Sequence, residues 1–367
     1  PEFDQWRQQQ TEEWKIKYYK GLGTSSRKEA LEYFSDLSKH RIPFETMQDG
    51  TVIDMCFSKQ RIADRKKWIA NYQQGTFVDF RVEQMKYDDF VNKEYIIMAV
   101  QSNLRAIPHA MDGLKPSQRK ILFACLKRKL HSEIKVAQLA GYTSEHAAYH
   151  HGEMSLNGAI INMAQNFIGS NNINLLMPNG QFGTRLMGGK DHASPRYVFT
   201  QLAPLAELIY HPDDAPLYTP LEDDGQQIEP MHYLPVIPML LVNGGSGIGT
   251  GWSTTIPSYN PLEIIEQLLQ RMSEDTLLPQ LQWSFRRMKP WYKDFTGTIE
   301  PIQGTTKFAV KGVYSWASAN TIVITELPIG TWTNTYKEML ERCVEGHGAF
   351  KKGDIVSLQS NYTDTTV

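Results

Sequence analysis

Between residues 112 and 167 the chain alternates helix-like segments with short turns, and this pattern limits the possible folds more than any other feature. The segment Asp112-Gly-Leu-Lys-Pro-Ser117 is typical of a turn that opens a helix, because proline favours the first helical position. In the helix that follows, the apolar residues share one face: Ile121, Leu122, Cys125, Leu126 and Leu130. The pattern then predicts a short helix from Val136 to Ala140, a turn from Gly141 to Ser144, and a long helix from Glu153 to Phe167. We therefore expect a helix-turn-helix unit.

The formal net charge of -2 hides an uneven distribution of charge along the chain. Residues 101–200 carry 11 Lys and Arg against 5 Asp and Glu, whereas residues 201–230 carry 7 Asp and Glu and no Lys or Arg. Arg119 and Lys120 lie largely off the apolar face of the first helix, so we expect them to be available to phosphate groups. A basic surface beside a helix-turn-helix favours a polyanionic partner such as duplex DNA. The alternative is that these blocks of charge are only solvated surface.

Length and cysteine content limit the class of protein. A chain of 367 residues is long enough for two or three domains. It contains no apolar run of about 18 residues, so we expect no membrane-spanning helix. Its cysteines, Cys56, Cys125 and Cys343, are far apart and odd in number. This pattern argues against a disulfide framework or a cysteine-rich zinc site, and it favours a reducing compartment.

The pair Arg196-Tyr197 is a candidate catalytic pair within the basic segment. A phenol titrates near ~10, so a tyrosine attacks phosphorus at neutral pH only if its neighbours stabilise the phenolate and the charge of the transition state. An adjacent guanidinium does both, because it attracts the phenolate and offers paired donors to phosphate oxygens. The alternative is a tyrosine packed in a core beside a surface arginine.

A histidine cluster, His146-Ala-Ala-Tyr-His-His-Gly-Glu153, allows two interpretations. His146 and His150 are four residues apart, as helical metal ligands are, and Glu153 is close by, which would suit a metal-dependent hydrolase. The His-Glu-x-x-His order of such enzymes is absent, however, and Gly152 interrupts the helix. Imidazoles directed at phosphate groups, or packed histidines, are the other possibilities.

Two glycine-rich turns suggest close approach to another surface. Lys20-Gly-Leu-Gly-Thr24 could present backbone N–H groups to phosphate, and Ser25 or Ser26 then begins a helix. Asn243-Gly-Gly-Ser-Gly-Ile-Gly-Thr-Gly251 matches neither the dinucleotide spacing nor the phosphate-loop motif, so we expect no nucleotide site there. Ile248 within it is an apolar side chain on a backbone that can approach a duplex, and such a residue can wedge between base steps.

The downstream pattern predicts three helices and three strands. The helices are expected at Leu202 to Tyr210, Pro261 to Ser273 and Thr335 to Cys343, and the strands at Pro235 to Val242, Phe308 to Tyr314 and Thr321 to Thr325. The first of these strands is interrupted by prolines.

Eight ordered motifs along nearly the whole chain resemble the type IIA DNA topoisomerases, and in particular eukaryotic-type DNA topoisomerase II. The motifs are Tyr18-Tyr-Lys-Gly-Leu-Gly-Thr24, Asp112-Gly-Leu-Lys-Pro-Ser-Gln-Arg-Lys120, Lys135-Val-Ala-Gln-Leu-Ala-Gly141, Ala148-Tyr-His-His-Gly-Glu153, Asn171-Asn-Ile-Asn-Leu-Leu176, Gln181-Phe-Gly-Thr-Arg185, Ser194-Pro-Arg-Tyr197 and Gly247-Ile-Gly-Thr-Gly-Trp252. The doubled His150-His151 and the run from Asn171 resemble the eukaryotic enzyme more than bacterial gyrase.

The resemblance implies an α+β multidomain fold. It assigns residues 1–50 to the C-terminal end of a toprim domain, 51–97 to a connector, 98–237 to a winged-helix (helix-turn-helix) domain with the tyrosine, and 238–367 to part of a mixed α/β tower domain.

The resemblance also implies roles for residues. Tyr197 would be the nucleophile that joins a DNA 5′-phosphate, with Arg196, Arg105, Lys115 and His151 around the scissile phosphate. Ile248 would bend the duplex. The remaining predicted DNA contacts are Lys20, Arg119, Lys120 and His150.

The implied activity is that of an ATP-dependent type IIA topoisomerase, which cuts both strands, passes a second duplex and reseals the break. The implied partners are double-stranded DNA and a second copy of the enzyme, without a membrane. The family's Mg²⁺ is held by a Glu and an Asp-x-Asp triplet, and no Asp-x-Asp occurs here, so its ligands and the ATPase domain are expected upstream of Pro1. The nucleus is the expected location unless the enzyme is viral or organellar. The alternative function is a non-catalytic DNA-bending module.

Overall fold

The computed structural model describes residues 2–12, 14–16, 25–47, 49–223, 225–274, 285–347, 351 and 353–367. The chain divides into two compact units. The first comprises Pro1–Asn103 with Gly249–Trp252, and the second comprises Leu104–Ile248 with Ser253–Val367. In the described residues, no helix combines the length and the apolar character needed to cross a bilayer.

The first unit is mainly helical. Its helices are α1 (Glu2–Gln9), α2 (Arg27–Ser35), α3 (Thr51–Phe57), α4 (Ile62–Ala70), α5 (Tyr87–Phe90) and the first part of α6 (Ile96–Ala106), with one π-helical turn (Val91–Tyr95) between the last two. Ser26 caps α2 as predicted: its Oγ accepts from the Glu29 N–H at 3.3 Å, and Glu29 Oε2 accepts from the Ser26 N–H at 2.6 Å. The start of this helix was therefore predictable from its caps.

A buried arginine stabilises the junction of α3 and α4. Arg65 is 8% exposed, and its Nη1 donates to the carbonyls of Met55 and Ser58 at 2.8 and 2.6 Å. These carbonyls lie at the C-terminal end of α3, where backbone acceptors lack intrahelical partners, so the guanidinium satisfies them.

Three helices form the centre of the second unit: α7 (Pro116–Arg128), α8 (Val136–His146) and α9 (Glu153–Ala164). Their facing side chains are fully buried, among them Ile121, Leu122, Leu139, Leu156 and Ile160. The predicted helices of this region are confirmed, but the predicted turn from Gly141 to Ser144 is wrong, because α8 continues through it. Thr143 satisfies its hydroxyl inside the helix by donating to the Leu139 carbonyl at 2.9 Å.

The strands of the second unit pair as antiparallel two-stranded sheets in the described residues. The pairs are β1 (Ile134–Lys135) with β2 (Phe199–Thr200), β3 (Pro220–Asp223) with β4 (Gln226–Pro230), β5 (Gly245–Ile248) with β6 (Ser253–Ile256), β7 (Thr298–Pro301) with β8 (Phe308–Lys311), and β9 (Val313–Ser318) with β10 (Thr321–Glu326). The helices between and after them are α10 (Pro204–Ile209), α11 (Met239–Val242), α12 (Pro261–Glu274) and α13 (Thr333–Val344). The predicted helices at α10, α12 and α13 are therefore confirmed.

The buried strand predicted from Pro235 to Val242 is wrong, because its second half forms the short helix α11. Pro235 and Pro238 lack the N–H groups that a strand ladder needs, and Pro238 instead precedes the helix in an extended conformation. At the end of this helix, the Val242 carbonyl accepts a hydrogen bond from the buried Asn172 at 2.9 Å.

One asparagine of the Asn171-Asn-Ile-Asn run joins the helical core to later segments. The Asn172 amide donates to the carbonyls of Val242, Tyr259 and Trp291, and its Oδ1 accepts from Lys293 N at 2.9 Å. This side chain thus satisfies backbone groups from three parts of the chain, which a residue without an amide could not do.

Candidate active site and nucleic-acid interface

Tyr197 lies at the end of a tight turn, and its side chain is 75% exposed. The turn is closed by a hydrogen bond from the Tyr197 N–H to the Ser194 carbonyl at 2.9 Å, with Pro195 at the position where its fixed φ suits such a turn. The next residue, Val198, is 2% exposed and anchors the turn in the core. The sequence therefore places an exposed phenol on a backbone that is held immediately behind it.

Helix α8 holds this turn by its N-terminus. The N–H groups of Val136 and Ala137 donate to the carbonyls of Val198 and Pro195, each at 3.1 Å. Because the N-terminal end of a helix carries partial positive charge, negative charge near the turn is favoured. The α8 N-terminus thus fixes the turn and adds to the positive field around it.

Arg196 is exposed, and no hydrogen bond or ion pair engages it within the described residues. Lys135, on β1, pairs with Phe199 across the sheet, and its Nζ lies 5.9 Å from the centre of that ring. Lys135 was not among the predicted site residues; its place in the Lys135-Val-Ala motif was the only signal. Two cations therefore flank the segment that carries Tyr197.

Two other tyrosines of this unit, Tyr210 and Tyr233, are unsuited to nucleophilic attack because they are buried. Burial raises the pKa of Tyr210 and of Tyr233 well above the usual value for a phenol. Their rings pack edge to face with centres 5.6 Å apart. These two phenols pack in the core, so the exposed Tyr197 is a better candidate nucleophile than either of them.

Arg105 and Ile248 come close to each other through their backbone neighbours. A Cβ added to Gly247 would lie 1.9 Å from the carbonyl oxygen of Ala106, the residue after Arg105. Ile248 ends β5, pairs with Ser253, and is 85% exposed. The glycines beside Ile248 therefore allow close approach to the protein's own chain rather than only to an outside surface.

Lys115 precedes α7 and is half-buried, and its N–H donates to Gln118 Oε1 at 2.9 Å. It lines a cavity of about 230 Å³ together with Asn171, Asn243 and Ser246. Three of the motifs found in the sequence thus meet at one place. No hydrogen bond or ion pair in the described part of the chain joins Tyr197 to Lys115, Arg105 or His151.

The prediction that Arg119 is available to phosphate is wrong. Its guanidinium is buried and makes a paired contact with Asp112, with Nε to Oδ2 at 2.7 Å and Nη2 to Oδ1 at 3.0 Å. The Asp112 carboxylate also accepts from the N–H groups of Leu114 and Tyr233 at 3.0 Å. Asp112 and Arg119 therefore form a buried ion pair within the protein. Gly113 lies between them, and glycine is required there because a Cβ would lie 2.6 Å from Leu240 N.

Lys120 is likewise engaged inside the protein. Its side chain is 15% exposed and its Nζ lies 2.8 Å from Glu229 Oε1, while Glu229 is 3% exposed. It also donates to the Ala147 carbonyl at 2.5 Å. The prediction that Lys120 is available to phosphate is therefore also wrong. The apolar face of α7 was predictable from the sequence, but the acidic partners of Arg119 and Lys120 were not.

The histidines between α8 and α9 have different partners. The ring of His146 lies 4.1 Å from that of Tyr142, and His150 Nε2 lies 2.6 Å from Asp223 Oδ2. His151 is exposed and packs edge to face with Tyr149 at 5.4 Å. His146 and His150 therefore do not converge on one point as ligands of a zinc ion would.

No group of three or more His, Cys, Asp or Glu side chains in the described residues is placed to hold a metal ion. The part of the chain that is described therefore does not by itself fit the Mg²⁺ implied by the resemblance. Lys20 lies outside the described residues.

Arg185, the last residue of the Gln181-Phe-Gly-Thr-Arg185 motif, forms a buried ion pair. No sequence pattern indicates this pair. Arg185 Nη2 lies 2.6 Å from Glu326 Oε1, with side-chain exposures of 5% and 3%. Glu326 is 141 positions away along the chain. Only the fold could reveal this partner.

Family models match both parts of the chain. Residues 1–103 match the C-terminal associated domain of TOPRIM, and residues 105–367 match the DNA gyrase/topoisomerase IV A-subunit family. The second match covers well over half of the chain.

Curated relatives and a solved structure agree with the family models. The chain is 49% identical to DNA topoisomerase 2 of Candida albicans over 93% of this chain and 23% of that protein, and 47% identical to human DNA topoisomerase 2-alpha over 100% of this chain and 24% of that protein. It therefore spans about a quarter of the length of these relatives.

A crystal structure of the DNA-binding, cleavage and re-ligation domain of Plasmodium falciparum topoisomerase II superposes with a TM-score of 0.82 at 47% identity, covering 100% of this chain and 49% of that one. These matches confirm the resemblance drawn from the eight motifs and the mixed α and β character of the fold. The chain belongs to the DNA gyrase/topoisomerase IV A-subunit family, and within that family it is similar to the eukaryotic DNA topoisomerase 2 proteins.

Proposed function

We propose that this chain is the DNA cleavage and religation core of a type IIA DNA topoisomerase, an isomerase that changes DNA topology by cutting and resealing both strands. The observation that carries the proposal is the exposed phenol of Tyr197 on a turn fixed by α8, beside the exposed guanidinium of Arg196. Family membership supports the same conclusion.

In the proposed reaction the Tyr197 Oη attacks a backbone phosphorus in line with the leaving oxygen. A bond forms between Oη and phosphorus, the bond from phosphorus to the 3′-oxygen breaks, and the DNA 5′-phosphate becomes attached to the protein. The phenol loses its proton and the leaving 3′-oxygen gains one. Because a phosphotyrosine ester replaces a phosphodiester, the 3′-hydroxyl can reverse the step without an outside energy source.

The surroundings of Tyr197 support this chemistry. The Arg196 guanidinium can donate to phosphate oxygens as their charge grows, and the N-terminus of α8 favours the same negative charge. By resemblance, Arg105, Lys115 and His151 would complete the cationic surroundings of the phosphate. Ile248 would insert into the duplex, a role that suits its 85% exposure.

The remaining parts of the proposal concern the whole enzyme. Residues 1–50 would end a toprim domain, 51–97 would connect it, 98–237 would form the winged-helix domain, and 238–367 would belong to the tower. Mg²⁺ and ATP would be bound by other parts of a longer protein, which would act as a homodimer on double-stranded DNA in the nucleus. We accordingly expect the isolated chain to bind DNA without cleaving it.

The test is to trap the covalent adduct. The complete enzyme is mixed with supercoiled DNA, denatured during the reaction and digested, and the peptide attached to DNA is sequenced. We expect the adduct on Tyr197 and its loss in Tyr197→Phe, together with loss of DNA relaxation. Relaxation that survives Tyr197→Phe would reject the proposal and leave the DNA-bending module, which does not need this residue.

A further inference from the structure

The loop between α8 and α9, residues 147–152, contains a conformation that the neighbouring structure must maintain. Ala148 has φ +47, in the left-handed region that residues with a Cβ adopt rarely. Such conformations persist where surrounding contacts fix them, and they are frequent at functional sites. Two independent contacts hold this loop, one on each side of Ala148.

The first contact fixes the residue before Ala148. Lys120 Nζ donates to the Ala147 carbonyl at 2.5 Å and is itself bound to Glu229 on β4, with Nζ to Oε2 at 2.9 Å. Glu229 is 3% exposed and Ala147 is fully buried. Strand β4 therefore determines where the loop begins.

The second contact fixes the residue two positions after Ala148. His150 Nε2 lies 2.6 Å from Asp223 Oδ2, and Asp223 ends β3. Asp223 pairs with Gln226 across the sheet, so the carboxylate that contacts His150 and the Glu229 carboxylate that binds Lys120 both belong to the β3–β4 hairpin. The hairpin thus holds the loop directly at His150 and, through Lys120 of α7, at Ala147.

His151 follows directly and is exposed. The contact that the structure gives its ring is with Tyr149, at 5.4 Å and an interplanar angle of 81°. The direction of the His151 side chain is therefore set by the backbone of the loop more than by bonds of its own. A displacement of the loop would displace His151.

We propose that Asp223 and His150 are positioning residues: the β3–β4 hairpin holds the loop so that His151 faces the phosphate that Tyr197 attacks. This inference rests on the proposed function. It also gives His150 a role other than the direct DNA contact predicted from the sequence, because its Nε2 is engaged by Asp223.

The test compares two isosteric charge removals on β3 in the complete enzyme. Asp223→Asn replaces the charged acceptor of His150 by a neutral amide and so weakens the anchor, whereas Glu222→Gln removes an equal charge from the neighbouring exposed residue, whose side chain makes no ion pair in the described part of the chain. For Asp223→Asn we expect the rate of single-turnover cleavage to fall by about tenfold to a hundredfold, the range for a misplaced catalytic group. The Kd for DNA should change by less than about twofold, since phosphate contacts determine it.

Hydrogen–deuterium exchange supplies a structural readout. Amides of residues 147–152 should exchange faster in Asp223→Asn and in His150→Gln, and at the original rate in Glu222→Gln. The double variant, Asp223→Asn with His150→Gln, should cleave no more slowly than the slower of the two single variants. Both substitutions act on the same contact, so their effects should not add.

Repeating the Asp223→Asn substitution in a His151→Ala variant tests whether Asp223 acts by positioning His151 or by stabilising the structure in general. There, adding Asp223→Asn should not reduce cleavage further, because the group being positioned is absent. The inference is overturned if Asp223→Asn leaves cleavage and loop exchange unchanged, or if it slows cleavage equally with and without His151. Relaxation that no longer requires Tyr197 would instead reject the proposed function, so the two failures are distinguishable.

Discussion

Two arginines in this molecule occupy opposite environments although both stand in motifs of the same family. Arg119, on α7, is 5% exposed and its guanidinium is paired with a fully buried Asp112. Arg196, in the turn before Tyr197, is exposed and makes no ion pair within the described residues. The first satisfies the protein's own carboxylate, and the second is free to satisfy a carboxylate or phosphate from outside.

The difference between the two regions shows what decides the role of a basic residue in a motif. Where the fold brings a carboxylate to the side chain, the residue stabilises the structure; where it does not, the residue is available to bind a ligand. Asp112 lies seven positions before Arg119, on the turn that leads into α7, and its carboxylate accepts from the Arg119 guanidinium on that helix. Asp191 lies only five positions before Arg196, but its carboxylate accepts from the N–H and the Oγ1 hydroxyl of Thr184 and makes no ion pair with Arg196 in the described residues. Available charge, rather than total charge, therefore marks the candidate interface.

The largest effect should come from Arg119→Met. This change leaves the Asp112 carboxylate buried without a countercharge, and breaking one partner of a buried pair costs about 3–5 kcal/mol of unfolding free energy. Urea denaturation followed by circular dichroism measures the loss. Lys127→Met on the exposed side of the same helix is the control, and it should cost less than about 1 kcal/mol because its cation–π contact with Phe123 is at the surface. Equal losses in the two variants would contradict the internal role of Arg119.

Much of the second unit could be predicted from the sequence, and the reason lies in which interactions are local. The apolar faces of α7 and α9, the helices α12 and α13 and the start of α2 in the first unit follow from periodicity and capping, which involve residues three or four apart. The partners of Lys120 and Arg185 lie 109 and 141 positions away, so no pattern in the neighbouring sequence reveals them.

The candidate site was predictable to the same extent. The exposure of Tyr197 and Ile248 agrees with the roles expected of them, but the engagement of Arg119, Lys120 and His150 by acidic residues was not foreseen. Residue type and spacing indicate that a cation is present. They do not show whether it is already neutralised, since that depends on which distant carboxylate the fold brings within about 3 Å of it.

Arg196→Met should give the opposite result to Arg119→Met. We expect the unfolding free energy to change by less than about 0.5 kcal/mol, as for an exposed residue without contacts. Cleavage by the complete enzyme should fall by about a hundredfold to a thousandfold, the loss typical when one donor to a developing negative charge is removed. The measurement is single-turnover cleavage of a labelled duplex at saturating enzyme. A destabilised Arg196→Met variant, or one that cleaves at the original rate, would remove the distinction between the two arginines.

The smallest effect is expected at the β5–β6 hairpin, where neighbouring positions repeat the same contrast. Gly247 faces the protein: a Cβ there would lie 1.9 Å from the Ala106 carbonyl oxygen, so Gly247→Ala must displace backbone and should cost about 1–3 kcal/mol of unfolding free energy. Ile248 faces outward, so Ile248→Ala should leave the unfolding free energy within about 0.5 kcal/mol.

Ile248→Ala should nevertheless weaken bending of bound DNA, because a wedge between base steps offsets the cost of unstacking with its own apolar contact. Fluorescence energy transfer between dyes at the two ends of a duplex measures the bend, and we expect a longer end-to-end distance with a Kd increase of about fivefold or less, since phosphate contacts dominate affinity. A variant that bends DNA fully would show that exposure at this position, unlike exposure at Arg196, does not mark a contact with DNA. The contrast between buried and exposed residues of a motif would then apply to charged side chains alone. An unpaired charge at the surface is a stronger sign of a binding site than an exposed isoleucine is.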